Sequence, residues 1–456
     1  MSKERSIPDV LECFFSAYIF LQEVRAVHWL TAWNGLLWQW ILPVLLTGTA
    51  IVCGIRQRGR PVRGFSGVLR RTYGSLLSRR ADRQQRRVFA SALAATMGTG
   101  NLVGTALAVM TGGAGALFWM WVSALLGMLL VYAENRLAAR YRRDGFGGTA
   151  AYLRFGLNSR FLTVFFSFCC MLAALGMGDL AQSSTVAQTA HSFGIPLPAA
   201  GCVTAALLLL ILSGGGKRIG GVAAWLMPLL CGGYLLGCFW LIGMHLRALP
   251  GALMQILRGA FGIRAAGAGI SAAAFLCSMR TGICRGMFSH EAGLGSSAML
   301  HMDAENAAEQ GEWAAAEVFA DTLVSCTATA LVILTAPRSG AQDAAGLLLD
   351  VFSAGLGQYA RVFLGICMML LAFATMLGWY RCGEGCACAL FGTRAAPVFR
   401  AAYLLAAFAG ALGEPAWIWT FCDCMNGMTA LPNLYALLRL HSVPAETQPH
   451  SESDQL

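Results

Sequence analysis

The sequence has few charged residues and lacks the short motifs that mark common enzymes. Only 12% of its 456 residues are Asp, Glu, Lys or Arg, whereas soluble domains carry about 25%. Neither Gly-x-Ser-x-Gly nor His-Glu-x-x-His occurs, so serine-hydrolase and zinc-protease chemistry have no support. The sequence therefore favours neither a soluble protein nor an enzyme.

Paired metal-ligand spacings are also missing, although the chain has 16 cysteines. No Cys-x-x-Cys is present, and residues such as Cys169, Cys202 and Cys277 are scattered through apolar stretches. Cysteine in such places packs as a small hydrophobic residue, and zinc sites use tighter pairs. We expect packing roles for the cysteines, no resident metal and no organic cofactor.

Long apolar runs are what the chain has in abundance. It is 57% hydrophobic, with a mean hydropathy of +0.60, and runs of about 18 residues are long enough to cross a bilayer as helices. This pattern predicts an all-α polytopic membrane protein. We place eleven transmembrane helices near 36–55, 88–110, 115–138, 161–190, 199–213, 221–244, 262–296, 313–336, 360–391, 399–412 and 415–440.

The formal net charge of +10 indicates how the chain is oriented in the membrane and does not indicate nucleic-acid binding. Arginines crowd the loop 56–87, and loops rich in Arg and Lys stay in the cytoplasm. The first helix then enters from outside, and eleven crossings leave the C-terminus inside. No soluble stretch is long enough for a nucleic-acid-binding face.

The two ends of the chain differ from the apolar centre. Val10–Leu30 is apolar but carries Glu12, Glu23 and Arg25, so residues 1–35 are expected to form an outer or interfacial segment and not a cleaved signal peptide. Residues 441–456 are polar, which predicts a disordered cytoplasmic tail. The transporter domain is therefore expected to cover residues 36–440.

Two predicted spans are interrupted by glycine. The first interruption is Met97–Asn101, and the second runs from Gly267–Gly269 to Arg280–Gly282. A helix breaks at membrane depth only where the freed backbone groups line a cavity or hold a ligand, and two such breaks are typical of secondary transporters. Close helix packing through the glycine pair Gly100-x-x-x-Gly104 is the alternative.

Several strings in the chain resemble the alanine or glycine:cation symporters of bacteria and archaea. The resemblance extends from about residue 33 to 438. It is carried by 93–101 (LAATMGTGN), 112–121, 132–134 (YAE), 214–219, 285–296 (RGMFSHEAGLGS), 321–323 (DTL), 372–379 (AFATMLGW), 426–427 and 431–433 (LPN).

This resemblance implies an inverted five-plus-five repeat of the leucine-transporter type, with one additional N-terminal helix. Repeat one would cover about 88–244 and repeat two about 262–440. The implied function is symport of small neutral amino acids with sodium, or with protons, across the bacterial inner membrane. We expect a monomer in the lipid bilayer that binds no nucleic acid.

The same resemblance implies the site residues. Thr96, Thr99, Gly100 and Asn101 would cradle the substrate, and Gln182 would bind it from the side unless it only joins helices. The carbonyls of Ala94 and Met97 and the hydroxyl of Thr375 would bind the cation. Trp379 would limit side-chain size, with Phe275 and Met279 capping the pocket.

Charged residues within the predicted spans need a reason, because charge is costly in the membrane. An ion pair between Arg285 and Glu291 would close the inner mouth. Asp321 would anchor a helix pair by hydrogen bonding, or be protonated and neutral. Glu134 and Glu384 would act as gates or extend to a nearby interface.

Some positions depart from the family pattern. Ala374 precedes Thr375 where the family usually has two threonines, so one hydroxyl ligand is missing and proton coupling becomes an alternative. Asp179 and His290 stand where asparagine is usual, and Thr281 where tyrosine is usual. These residues favour altered substrate or ion coupling as the main alternative. A channel or a non-transporting membrane sensor would need a continuous polar path or an output domain, and neither is visible.

Overall fold

We describe the protein from a computed structural model. The described residues are 28–78, 82–143, 146–262, 272–304, 309–337, 340–413 and 416–440. Within these ranges the regular structure is helical and no strand occurs, which confirms the all-α prediction. The predictions for residues 1–27, for the tail 441–456 and for Gly267–Gly269 lie outside the described residues.

Within the described ranges, fifteen helices build the bundle, and we number them in chain order. They are α1 (His28–Arg56), α2 (Arg83–Thr96), α3 (Gly100–Gly112), α4 (Ala116–Arg140), α5 (Arg160–His191), α6 (Leu197–Leu212), α7 (Gly215–Met244), α8 (Leu249–Ala260), α9 (Ala272–His290), α10 (Ser296–Leu300), α11 (Gln310–Thr335), α12 (Ala344–Leu356), α13 (Ala360–Phe391), α14 (Ala395–Ala411) and α15 (Ala416–Arg439). Short helices at Arg60–Arg63, Phe65–Arg71 and Tyr73–Leu77 connect α1 to α2.

Several of these helices are long and apolar enough to cross a membrane. By length and composition, six in the described part of the chain qualify: α1, α4, α5, α7, α11 and the stretch formed by α12 and α13 together. The pair α2 and α3 adds a seventh span that is bent by 50°. Helices α6 and α14 are apolar but shorter. The protein is therefore a multi-pass membrane protein.

Local sequence signals explain where helices begin. Asp82 precedes α2, and its carboxylate accepts a 2.8 Å hydrogen bond from the backbone N–H of Gln84, which lowers the pKa of Asp82. Ser159 caps α5 in the same way through the N–H of Leu162. Such side chains satisfy the N–H groups that lack partners in a first turn.

The first interruption lies where the glycine pattern predicts it. Helix α2 ends at Thr96, and α3 begins at Gly100 after Met97–Thr99. The bent pair packs against α7, α13 and α11, so the break is enclosed by the bundle. The pair therefore resembles a broken span and not two separate surface helices.

The second interruption was predicted to reach Arg280–Gly282, and this position is wrong. Helix α9 runs without a break from Ala272 to His290. Gly282 serves close packing, because a Cβ there would lie 2.3 Å from the carbonyl oxygen of Ala116. The chain leaves the helix later, at Glu291–Gly295, where Glu291, Gly293 and Gly295 have φ values of 52°, 87° and 83°. Left-handed backbone, not glycine content alone, marks this break.

The N-terminal boundary also differs from the prediction. Residues 28–35 are helical and form the first turns of α1, so this helix begins earlier than residue 36. In the bundle, α5 packs against α13 and α15, and α4 packs against α9 and α11. The two broken regions, at Met97–Thr99 and Glu291–Gly295, lie among these long helices.

Candidate functional site

A central cavity of about 680 Å³ reaches the break between α2 and α3. Exposed residues surround its mouth, including Phe193 just after α5, Leu349 within α12 and Arg361 at the start of α13. Many of the predicted site residues line its inner part: Thr96, Thr99, Gly100, Gln182, Arg285, Glu291, Thr375 and Trp379. The structure therefore brings together side chains from α2, α3, α5, α9 and α13.

The backbone at the break loses its regular helical hydrogen bonds. The N–H of Gly98 donates to the carbonyl of Thr96 at 2.9 Å and to Oδ1 of Asn101 at 3.2 Å. In a regular helix this N–H would bond to the carbonyl of Ala94, which is thus deprived of its helical partner. A wide π-helical turn follows at Gly100–Gly104, a geometry frequent at functional sites.

Thr375 of α13 lies directly against this break. A Cβ on Gly98 would be 2.5 Å from Oγ1 of Thr375, so only glycine leaves room for the hydroxyl. The Thr375 hydroxyl donates to the carbonyl of Leu371 at 3.0 Å, which leaves its lone pairs available. One turn along α13, Trp379 is 1% exposed and forms a wall of the cavity.

Gln182 joins α5 to the break. Its Oε1 accepts a 3.3 Å hydrogen bond from the hydroxyl of Thr99, and its amide nitrogen donates to the carbonyl of Met177 at 3.2 Å. The side chain lines the cavity as well. Its geometry thus accommodates both predicted roles, the contact between helices and a lateral contact to a ligand.

Asn101 points away from the cavity. Its amide nitrogen donates to Oδ1 of Asp321 at 2.6 Å, and Oδ2 of Asp321 accepts from Ser289 at 2.8 Å and Thr322 at 2.7 Å. All of these side chains are buried. Asp321 therefore connects α11 to α3 and α9, and Asn101 contacts the cavity wall through the N–H of Gly98.

Phe275 and Met279 do not line the cavity. Phe275 packs against Trp119 with ring centroids 5.7 Å apart. Both residues lie on α9 away from its cavity-lining end, where Phe288 and Ser289 face the space instead. In this conformation the predicted capping role therefore has no counterpart.

The predicted ion-binding residues Ala94 and Met97 are also absent from the cavity wall. Both are buried, and they pack in the same apolar cluster as Ala374. Their backbone groups lie next to the break, since Gly98 and Thr375 are in contact there. A cation at this position would be reached from the cavity through the space beside Gly98.

No ion pair joins Arg285 to Glu291 in the described part of the chain. Arg285 and Glu291 line the central cavity together with Asp423 of α15. The charge of Asp423, and not that of Glu291, interacts electrostatically with Arg285. The predicted inner closure by Arg285 and Glu291 is therefore not formed in this conformation. Our sequence analysis missed Asp423, although its charge in a predicted span was a usable signal.

Glu134 holds the second break. Its Oε1 accepts hydrogen bonds from the N–H of Gly293 at 2.9 Å and from the amide of Asn433 at 2.7 Å. The same Asn433 donates to the carbonyl of Gly293 at 2.8 Å. Glu134 is fully buried, so its side chain does not extend to an interface. Glu384, by contrast, is partly exposed and pairs with Arg381 at 2.5 Å.

Two of the unusual residues are buried behind the cavity wall. Neither carboxylate oxygen of Asp179 has a hydrogen-bond partner among the described residues, and Asp179 lies in a π-helical turn of α5 at Gly176–Leu180. His290 is bonded to the Ser123 hydroxyl at 3.1 Å and to the N–H of Ala292 at 3.1 Å. Neither residue touches the central cavity in this conformation.

Comparisons with known proteins identify transporters as relatives of this chain. A family model described as the sodium:alanine symporter family matches residues 23–452. An uncharacterized transporter of Haemophilus influenzae is 33% identical over 91% of this chain and 94% of its own. The sodium/alanine symporter AgcS of Methanococcus maripaludis is 32% identical, over 92% of this chain and 96% of its own.

A solved structure shares the fold. The crystal structure of a mutant manganese transporter of Eremococcus coleocola covers 75% of each chain with a TM-score of 0.52 and 16% sequence identity. At this identity the likeness concerns the fold alone. The match over residues 23–452 and the identity to AgcS decide the relationship. The chain belongs to the sodium:alanine symporter family.

Proposed function

We propose that this protein is a secondary active symporter that imports small neutral amino acids, such as alanine or glycine, together with sodium by alternating access. The observation that carries the proposal is a cavity that ends on unwound backbone beside Thr375 and Trp379. Family membership and the name of the relative AgcS supply the class of substrate and ion.

We assign the architecture as two inverted five-helix repeats preceded by α1. Repeat one would comprise α2/α3, α4, α5, α6 and α7, and repeat two α9/α10, α11, α13, α14 and α15, which makes eleven spans. The two short apolar helices, α6 and α14, are then fourth in their repeats and pack together. The third helices, α5 and α13, both contribute side chains to the cavity.

The arrangement of charges supports an outward-facing conformation. Arginines of the 56–87 loop would be cytoplasmic, and the start of α7 packs near Arg87 and Arg381. The cavity mouth lies at the opposite helix ends, next to Phe193 and Arg361. On this assignment the N-terminus is outside, the C-terminus is inside, and the cavity opens to the exterior of the inner membrane.

The broken helix provides the two kinds of group that a zwitterion needs. The N–H groups at the start of α3, around Thr99 and Gly100, carry partial positive charge and would bind the carboxylate. Carbonyls released at the end of α2 and Oε1 of Gln182 would accept from the ammonium group. Trp379 would restrict the side chain of the substrate.

Sodium prefers oxygen ligands, and the break offers several close together. The carbonyl of Ala94 has lost its helical donor, and the hydroxyl of Thr375 lies against Gly98. The carbonyl of Met97 would complete this part of the shell. The cation would then connect α2 to α13 beside the substrate, so that each ligand favours binding of the other.

Counterflow in proteoliposomes tests the proposal. Vesicles loaded with unlabelled alanine should take up labelled alanine transiently, and faster with sodium than with choline at the same pH. A channel would show no stimulation by alanine on the opposite side, and a sensor would show no uptake. Strong exchange that ignores sodium would favour the alternative of altered ion coupling.

A further inference from the structure

Five buried polar side chains form a connected path on the side of the central cavity away from its mouth. The hydroxyl of Thr96 lies 3.1 Å from Oε1 of Glu317, and Oε2 of Glu317 lies 2.8 Å from Nε2 of His301. The Gln310 amide contacts Nδ1 of His301 and accepts a 3.3 Å bond from Gln85. Thr96 itself lines the cavity.

This path ties the first half of the broken helix to α11 at two points. Thr96 and Gln85 belong to α2, whereas Glu317 and Gln310 belong to α11, and His301 connects the latter two. All five side chains are less than one-tenth exposed. Burying a carboxylate costs free energy unless it is paired and hydrogen-bonded, and here the direct partner is an imidazole, a group that can exchange protons.

The surrounding charges do not neutralise Glu317. In the described part of the chain, its only ion-pair partner within 4.0 Å is His301. The acidic residues Glu291 and Asp321 are near enough to interact with it electrostatically. Tyr73 also faces it, but donates its hydroxyl to the carbonyl of Ala316 at 2.9 Å.

A second, small cavity lies next to His301. It is lined by Asn135, Arg142 and Gln310 among others. The guanidinium of Arg142 donates a 2.7 Å hydrogen bond to the carbonyl of Ala304. His301 therefore has Glu317 on the cavity side and a second, separate space beyond it.

We propose that Glu317 and His301 together bind and release one proton in each transport cycle, which makes them a proton site beside the cavity floor. This inference rests on the proposed function and names a second coupling ion for it. The Gln310 amide donates to Nδ1, so the imidazole proton is on Nε2 and points at the carboxylate. The pair then has one negative charge and accepts one proton.

Uptake and release of this proton balance without any other reactant. A proton from water in the cavity binds Oε1 of Glu317, and the Thr96 hydroxyl turns to the carbonyl of Ala92, 3.3 Å away. His301 keeps its Nε2 proton, which stays hydrogen-bonded to Oε2 of Glu317 throughout. When the cavity opens to the opposite side of the membrane, the proton leaves Oε1 for water there, and the Thr96 hydroxyl donates to Oε1 again, which restores the starting state.

Proton movement in proteoliposomes tests this inference. Wild-type protein is reconstituted with the same sodium concentration on both sides and a pH-sensitive dye inside, and labelled alanine is added with an inward gradient of about one pH unit. Such a gradient supports about tenfold accumulation for one proton per substrate. We expect acidification that depends on alanine, and its loss in Glu317→Gln and His301→Gln, while alanine counterflow at equal pH continues.

The control is Glu312→Gln, the same chemical change in the first turn of α11, where the partly exposed Glu312 pairs with Arg71. This variant should show the same alanine-dependent acidification as the wild type at the same pH gradient. No alanine-dependent acidification in the wild type, or full acidification in both site variants, would overturn the inference. A variant that does not fold leaves the wild-type result and the other variant to decide.

A second readout separates this inference from the proposed function. Infrared difference spectra of the purified protein during a pH titration should contain a carboxylic acid band that disappears in Glu317→Gln and persists in Glu312→Gln. If alanine counterflow fails, the proposed function fails, and the infrared band alone decides whether Glu317 takes up a proton. An unchanged band in Glu317→Gln contradicts the site.

Discussion

The hydroxyl of Thr375 occupies the space that a side chain on Gly98 would need, since a Cβ there would be 2.5 Å from Oγ1. This contact joins the break between α2 and α3 to the middle of α13. The residue tolerated at position 98 therefore depends on position 375, because there is no room for a side chain on residue 98 beside the hydroxyl of Thr375. The proposed cation ligands lie at this junction.

Gly98→Ala should therefore destabilise the protein by about 1–3 kcal/mol, the usual cost of overpacking. Thermal unfolding of the purified protein measures this loss, and adding Thr375→Ala should recover part of it. Gly100→Ala is the matched control, because nothing lies within 4 Å of a Cβ there. Equal stability of the two alanine variants would contradict the contact.

Thr375→Ala should weaken sodium binding because it removes a hydroxyl oxygen from the proposed shell. We expect the sodium concentration for half-maximal exchange to rise by about tenfold, or about 1.4 kcal/mol. Thr375→Ser keeps the oxygen and should stay close to the wild type. An unchanged sodium response in Thr375→Ala would remove Thr375 from the ion site.

Ala374→Thr tests whether the missing second hydroxyl matters. Ala374 is fully buried in the cluster that contains Ala94 and Met97. A hydroxyl there should lower the sodium concentration for half-maximal exchange by about threefold to tenfold, or about 0.7–1.4 kcal/mol, which is the net contribution of one typical hydrogen bond. Ala374→Val has the same shape without the oxygen, so an equal effect of both variants would indicate packing instead.

Glu134→Ala should destabilise the second break. It leaves the N–H of Gly293 and the amide of Asn433 without their acceptor, and each unsatisfied buried group costs about 1–3 kcal/mol. Glu134→Gln keeps an acceptor oxygen and should cost less. Thermal unfolding compares the two variants, and equal losses would argue against a role for the Glu134 hydrogen bonds.

Much of this fold could be predicted from the sequence because membrane helices have a simple physical signature. Apolar length located long helices such as α4, α5 and α7, and glycine content located the first break at Met97–Thr99. The second break was misplaced, because Gly282 serves helix packing whereas Glu291 adopts the left-handed backbone. Sequence alone does not separate these two uses of glycine-rich segments.

The site was less predictable, since side-chain direction depends on backbone detail. The break and the π-helical turn at Gly100–Gly104 turn Asn101 toward Asp321 and not toward the cavity. Glu317 was missed although its charge lies within a predicted span. Its contact with His301 joins residues of α11 to the connection after α10, and no spacing rule predicts that pairing.

Accumulation of labelled alanine driven by a sodium gradient alone tests the central claim most directly. Proteoliposomes with the membrane potential clamped and pH equal on both sides should concentrate alanine above its external level. The accumulation should collapse when a sodium ionophore removes the gradient. Uptake that only equilibrates, with or without the ionophore, would contradict a sodium-coupled symporter.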